Sequence, residues 1–171
     1  MRLLIILSYV LAAWKWTDWK RWKEYYPTIV FMIAVNWAVA VLTYKHTLWK
    51  FSPSYLLNYH SVSNFVISMT VFPATVLLFL SRFPEGGLFK KGRYIAYWVA
   101  VYGFTELVTS STGIIEYQNG WSFAWSVVLD CIMFPILWIH HKNPLLAWLL
   151  TLVAMMALWF MFGFSVSDFK A

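Results

Sequence analysis

The chain has 171 residues, 61% of them hydrophobic and only 12% charged, with a formal net charge of +6 and a mean hydropathy of +0.64. A water-soluble domain carries about a quarter charged residues, so this chain cannot cover a water-facing surface and lipid must be most of its solvent. A bilayer restricts the fold to helices or a closed barrel, and the strict apolar/polar alternation of barrel strands is missing, which leaves helices.

In chain order the apolar stretches are Leu3–Trp14, Pro27–Tyr44, Ser61–Leu80, Tyr94–Ile114, Ser122–Ile139 and Pro144–Phe164. A span needs roughly 20 apolar residues, about 17 at the short end. The last five stretches meet that; the first must borrow flanking residues. A signal peptide is its competing reading, since Arg2 precedes a short apolar run. No A-x-A site follows, however, and Lys15, Lys20, Arg21 and Lys23 stand directly behind it. The expectation is one transmembrane domain over 1–171, an all-α bundle of six helices, or five if the first stretch does not span.

Lys and Arg counts orient the bundle, because cytoplasmic loops are enriched in them. The first loop carries Lys15, Lys20, Arg21 and Lys23, the third Arg82, Lys90, Lys91 and Arg93, and the fifth Lys142. The opposite side carries Arg2, Lys45, Lys50 and Lys170. Odd-numbered loops are thus predicted inside and both termini outside. The basic balance (pI about 9.5) is split among short loops at headgroup level, which excludes nucleic acid as its partner. Trp16, Trp19 and Trp22 near the inner span ends, and Trp49 and Trp121 near the outer ones, are expected as interface anchors, with indole N–H groups in the headgroups.

Two carboxylates fall inside spans, Glu106 and Asp130. Ionisable groups there are costly, face the bundle interior and are functional-site candidates by default. At 1.5 Å rise per residue they lie roughly 18 Å and 13 Å above the inner ends of their spans, close to one level near the midplane. Tyr102, Glu106 and Thr109 share a helical face, Ser126 lies one turn before Asp130, Asn64 and Ser68 share a face of the third span, and Asn36 has a comparable depth. One polar interior among the second to fifth helices is predicted, with the first and sixth peripheral. No Lys or Arg lies at that depth in sequence. Pro73 and Pro135 each free the carbonyl four residues earlier, those of Met69 and Cys131. Carboxylates and free carbonyls are hard oxygen ligands suited to a proton, Na⁺ or Ca²⁺.

His140 and His141 sit where the fifth span meets the cytoplasm and read as interfacial polarity. Cys131 is the sole cysteine, so neither an internal disulfide nor a thiolate metal site is available. No phosphate-binding, dinucleotide-binding, zinc-protease or serine-hydrolase motif is present, so no cofactor is assigned. A weak internal echo links LWKF at 48–51, followed by Pro73, to IIEY at 114–117, followed by Pro135. It suggests a helix pair used twice in parallel orientation.

The strings KWTDWKRWKEYYPTIVF, VFPATVLLFL, EYQNGWSFAW and MFPILWIHHKNPLLAW resemble a family of small multipass membrane proteins from spore-forming Gram-positive bacteria. The resemblance implies a six-helix protein of the bacterial cytoplasmic membrane and brings no catalytic residue to carry over.

Three functions are open on sequence alone. The leading expectation is a transporter- or channel-like protein with a proton or cation site at Glu106 and Asp130. The second is a membrane enzyme acting on a lipid or isoprenoid, using those acids, or His140 and His141, for acid–base chemistry. The third is a non-catalytic accessory subunit. The narrow core of six short spans makes a homo-oligomer or a membrane-complex partner plausible.

Overall fold

A computed structural model describes residues 2–52 and 59–164; Lys170, counted above on the outer side, lies outside them. Six α-helices follow the six apolar stretches: α1 Arg2–Trp16, α2 Trp22–Leu42, α3 His60–Ser81, α4 Leu88–Ser111, α5 Phe123–Lys142 and α6 Pro144–Met161. Four segments are long and apolar enough to cross a membrane: Trp19–Leu42, α3, α5 and α6. α1 has 15 residues, about 22 Å of helix, shorter than a hydrocarbon core of about 30 Å. α4 has 24 residues, but its own Tyr, Thr, Glu and Ser residues dilute its apolar character.

Local chemistry sets the boundaries. The Asp18 side chain accepts from the Lys20 N–H at 3.2 Å and starts a single 3₁₀ turn, Trp19–Arg21, that leads into α2. Asn143 caps α6 by accepting from the Leu146 N–H at 3.2 Å, and Pro144 occupies the first helical position, where its missing N–H costs nothing. α4 ends on Gly113 at φ 69°, with the Ile114 N–H donating to the Thr109 carbonyl and the Gly113 N–H to that of Ser110. This left-handed glycine cap reverses the chain and delivers it into a short strand.

That strand was not expected from sequence. β1 (Trp49–Phe51) and β2 (Ile115–Tyr117) pair antiparallel, with Lys50 opposite Glu116 at the centre. These are the segments of the LWKF/IIEY echo. The pair closes one end of the bundle, hereafter the sheet end. At the opposite end the Arg82 guanidinium donates to the Trp16 carbonyl at 3.0 Å, joining the α3–α4 loop to the end of α1.

α3 and α5 are the central helices. α3 packs on α1 and α2, and α5 packs on α4, α2 and α6. The expectation that the first helix is peripheral is therefore corrected: α1 lies along α3 and buries Arg2, Ile6 and Ala13 on one face. α6 is largely exposed, though it buries Ala147 and Thr151.

The two halves of the bundle differ. Away from the sheet the core is aromatic and dry: Phe134 is fully buried, with its ring 5.1 Å from Tyr102, 5.2 Å from Phe79 and 5.8 Å from Trp98. Towards the sheet the helices diverge around a cavity.

Candidate functional site

The cavity measures about 320 Å³ and is walled by residues of all six helices and of the strand pair. Seven of the eight predicted interior residues line it: Asn36, Asn64, Tyr102, Glu106, Thr109, Ser126 and Asp130. The eighth, Ser68, lies behind the wall and accepts from the Asn36 side-chain N–H at 2.8 Å. The rest of the wall is mainly apolar, with Ile5, Ile6, Val35, Val39 and Ile67 among its residues.

Most of the polar groups are internally satisfied. Asn36 donates also to Asn64 Oδ1 at 3.3 Å, and the Ser68 hydroxyl donates to the Asn64 carbonyl at 2.6 Å, which ties α2 to α3. The Tyr102 and Thr75 hydroxyls bond at 2.6 Å, and those of Tyr9 and Thr105 at 3.2 Å. Thr109 bonds back to the carbonyls of its own helix. Ser126 accepts the Trp121 indole N–H at 2.9 Å.

The acids are treated unequally. Glu106 accepts a 2.7 Å hydrogen bond from the Tyr117 hydroxyl of β2. Burial, together with that carboxylate, pushes the Tyr117 phenol up to about 12. Asp130 is 7% exposed and lines the same cavity, yet makes no hydrogen bond among the described residues. A carboxyl on a cavity wall can accept from a proton donor or coordinate a cation. Cys131, its neighbour, faces outward and is exposed.

Sequence reasoning missed Arg2 and Tyr117. Arg2 counted as a loop charge, but it is buried, lines the cavity, and donates to the Ser63 hydroxyl and the Ser52 carbonyl, both at 2.8 Å. Its signal was the stripe Arg2, Ile6, Tyr9, Ala13 along one face of α1. Tyr117 belongs to the three-residue strand, too short for any periodicity to show.

Of the expected anchors, Trp16, Trp19 and Trp22 are exposed at the end away from the sheet. Trp49 is half-buried, its ring 5.3 Å from that of Trp121. Trp121 is buried beside Leu48 and Phe164, and its indole N–H is spent on Ser126, so it packs the bundle where a headgroup contact was expected. His140 points inward, bonded to Thr28 at 3.0 Å and stacked on Phe31 at 4.1 Å, whereas His141 lies beside Tyr25. Among the described residues no group of three or more His, Cys, Asp or Glu is placed to hold a metal ion.

Comparison with known proteins gives no match to a family model, a curated protein or a solved structure.

Proposed function

We propose that this chain is a six-span transporter-like protein of a bacterial cytoplasmic membrane, with a proton or cation site on Asp130 and Glu106. The observation that carries the reading is the bare carboxyl of Asp130 on a cavity that Glu106 also lines. The aromatic cluster of Phe79, Phe134 and Trp98 fills the core at the end away from the sheet and in this reading would seal the chamber on that side. An accessory subunit held together by polar packing would have no use for such a chamber. The Lys/Arg bias of the loops supports a cytoplasmic position for the sealed end and an outer one for the sheet end.

The test is thermal unfolding of the purified protein with and without Na⁺ or Ca²⁺ between about pH 5 and 9, a window that spans carboxylate titration in a buried site. A cation competes with the proton for the same oxygens, so its stabilisation through linkage grows with pH. The Glu106→Gln, Asp130→Asn double variant should fold and lose the response. A proton-only site is silent in this assay, and its readout is proton flux into proteoliposomes, lost in the same variant. Wild type and double variant behaving alike in both measurements would overturn the proposal.

A further inference from the structure

Arg2 brings a charge of opposite sign to the same cavity wall. Its side chain is 8% exposed, and a guanidinium does not lose its proton in a protein. Its partners, the Ser63 hydroxyl and the Ser52 carbonyl, are neutral. Its Nε is buried without a partner among the described residues. Among the described residues the salt bridge is Arg21–Glu24, on the exposed surface, and none involves Arg2. The Phe51 ring, 5.5 Å from the guanidinium carbon, adds only a cation–π contact. A buried charge gains from a counter-charge at bonding distance, so the guanidinium on the cavity wall favours an anion there.

The cavity restricts which anion. At about 320 Å³ it stands at the small-molecule end of ligand pockets and cannot take a two-chain lipid. Its walls are mainly apolar, so the ligand has an apolar body. Glu106 and Asp130 share the cavity with Arg2, and a second negative charge on the ligand would face them without a second cation. We infer that the cavity binds a small organic monocarboxylate, its carboxylate on the Arg2 guanidinium and its apolar body along Ile5, Ile6, Val35 and Val39. The inference rests on the transport reading in one respect: it assigns the cargo that would share the chamber with the proton or cation at Asp130.

The experiment uses the purified full chain in detergent with benzoate and hexanoate as probes. Benzamide, inorganic phosphate and phosphatidylglycerol micelles are the comparison ligands. Both carboxylates should raise the melting temperature, and benzamide should not. Arg2→Gln should weaken carboxylate binding about tenfold to a hundredfold, the scale of a lost charge-assisted hydrogen bond, and Arg2→Lys should restore part of it. Equal binding to wild type and Arg2→Gln would overturn the inference. So would a response to phosphate or phosphatidylglycerol without one to carboxylates, or no response to any carboxylate. If neither Arg2 variant folds, the wild-type contrast between benzoate and benzamide decides. At fixed pH the Glu106→Gln, Asp130→Asn variant should keep carboxylate binding while losing its cation response, and Arg2→Gln should do the reverse. Failure of either site is thereby seen separately.

Discussion

Replacing Tyr117 by Phe removes the one hydrogen bond that holds Glu106 to the strand pair, and its consequence has a defined pH dependence. The phenol donates at 2.7 Å to a carboxylate oxygen, and a hydrogen bond to a charged group contributes about 1.5–3 kcal/mol. The phenol pKa moves from the usual 10.0 to about 12, first through burial and then through the Glu106 carboxylate; the whole shift corresponds to about 2.7 kcal/mol, of which the hydrogen bond is only a part. Tyr117 is only half-buried, so solvent screening reduces this, and we expect about 1–2 kcal/mol. The folded-state pKa lies above the unfolded one, so the stabilisation is complete below about pH 10 and is lost as pH rises from about 10 towards 12. Phe has no such titration. The difference in unfolding free energy between wild type and Tyr117→Phe should therefore be full at about pH 8 and shrink steadily above about pH 10. Other tyrosines and the lysines titrate in both proteins and cancel. Denaturant unfolding in detergent at a series of pH values measures the difference. In a Glu106→Gln background the substitution should cost less, because the acceptor is then neutral. A difference that is constant up to about pH 11.5, or absent at about pH 8, would refute the coupling.

Two further outcomes are expected. In a Cys131→Ala background, an impermeant thiol reagent should label Gln118→Cys and not Lys90→Cys in intact cells; the reverse pattern would invert the orientation. Phe134→Ala should destabilise the bundle by about 2–3 kcal/mol, below the usual aqueous cost, because an unfolded segment in lipid still buries its side chain and only packing is lost. Unchanged resistance to detergent unfolding would contradict the sealing role of that cluster.

The helices were legible because a bilayer leaves an apolar stretch no alternative, and each stretch became one. Their ends were less so. α4 begins at Leu88, six residues before the apolar run at Tyr94, since Lys90, Lys91 and Arg93 belong to a helix whose first turns are solvated. α2 begins at Trp22 and carries Pro27 inside it, where the missing N–H frees the carbonyl of exposed Lys23 near the start of the helix. Glu106 and Asp130 were legible from depth alone. Arg2 and Tyr117 were not, because their burial is created by other parts of the chain: Ser63 and Ser52 for the first, the end of α4 for the second. Trp121 was misjudged for the same reason, its indole having a partner one turn into α5.

The strand pair also offers a frame for comparing the polar residues of the two halves of the chain. Asn36 and Asn64 each lie 14 residues from Lys50 (36, 50, 64), as Tyr102 and Asp130 do from Glu116 (102, 116, 130), and Lys50 and Glu116 face each other at the centre of the pair. All four of these polar side chains line the cavity. In the first half of the chain the two asparagines bond to each other at 3.3 Å, and Ser68 completes the set. In the second, Tyr102 turns instead to Thr75 on α3, and Asp130 is left alone on the cavity wall. The same packing closes its polar pair in one half and opens it in the other. The asymmetry puts the unfilled bond of Asp130 in the cavity, where the proposed proton or cation would complete it.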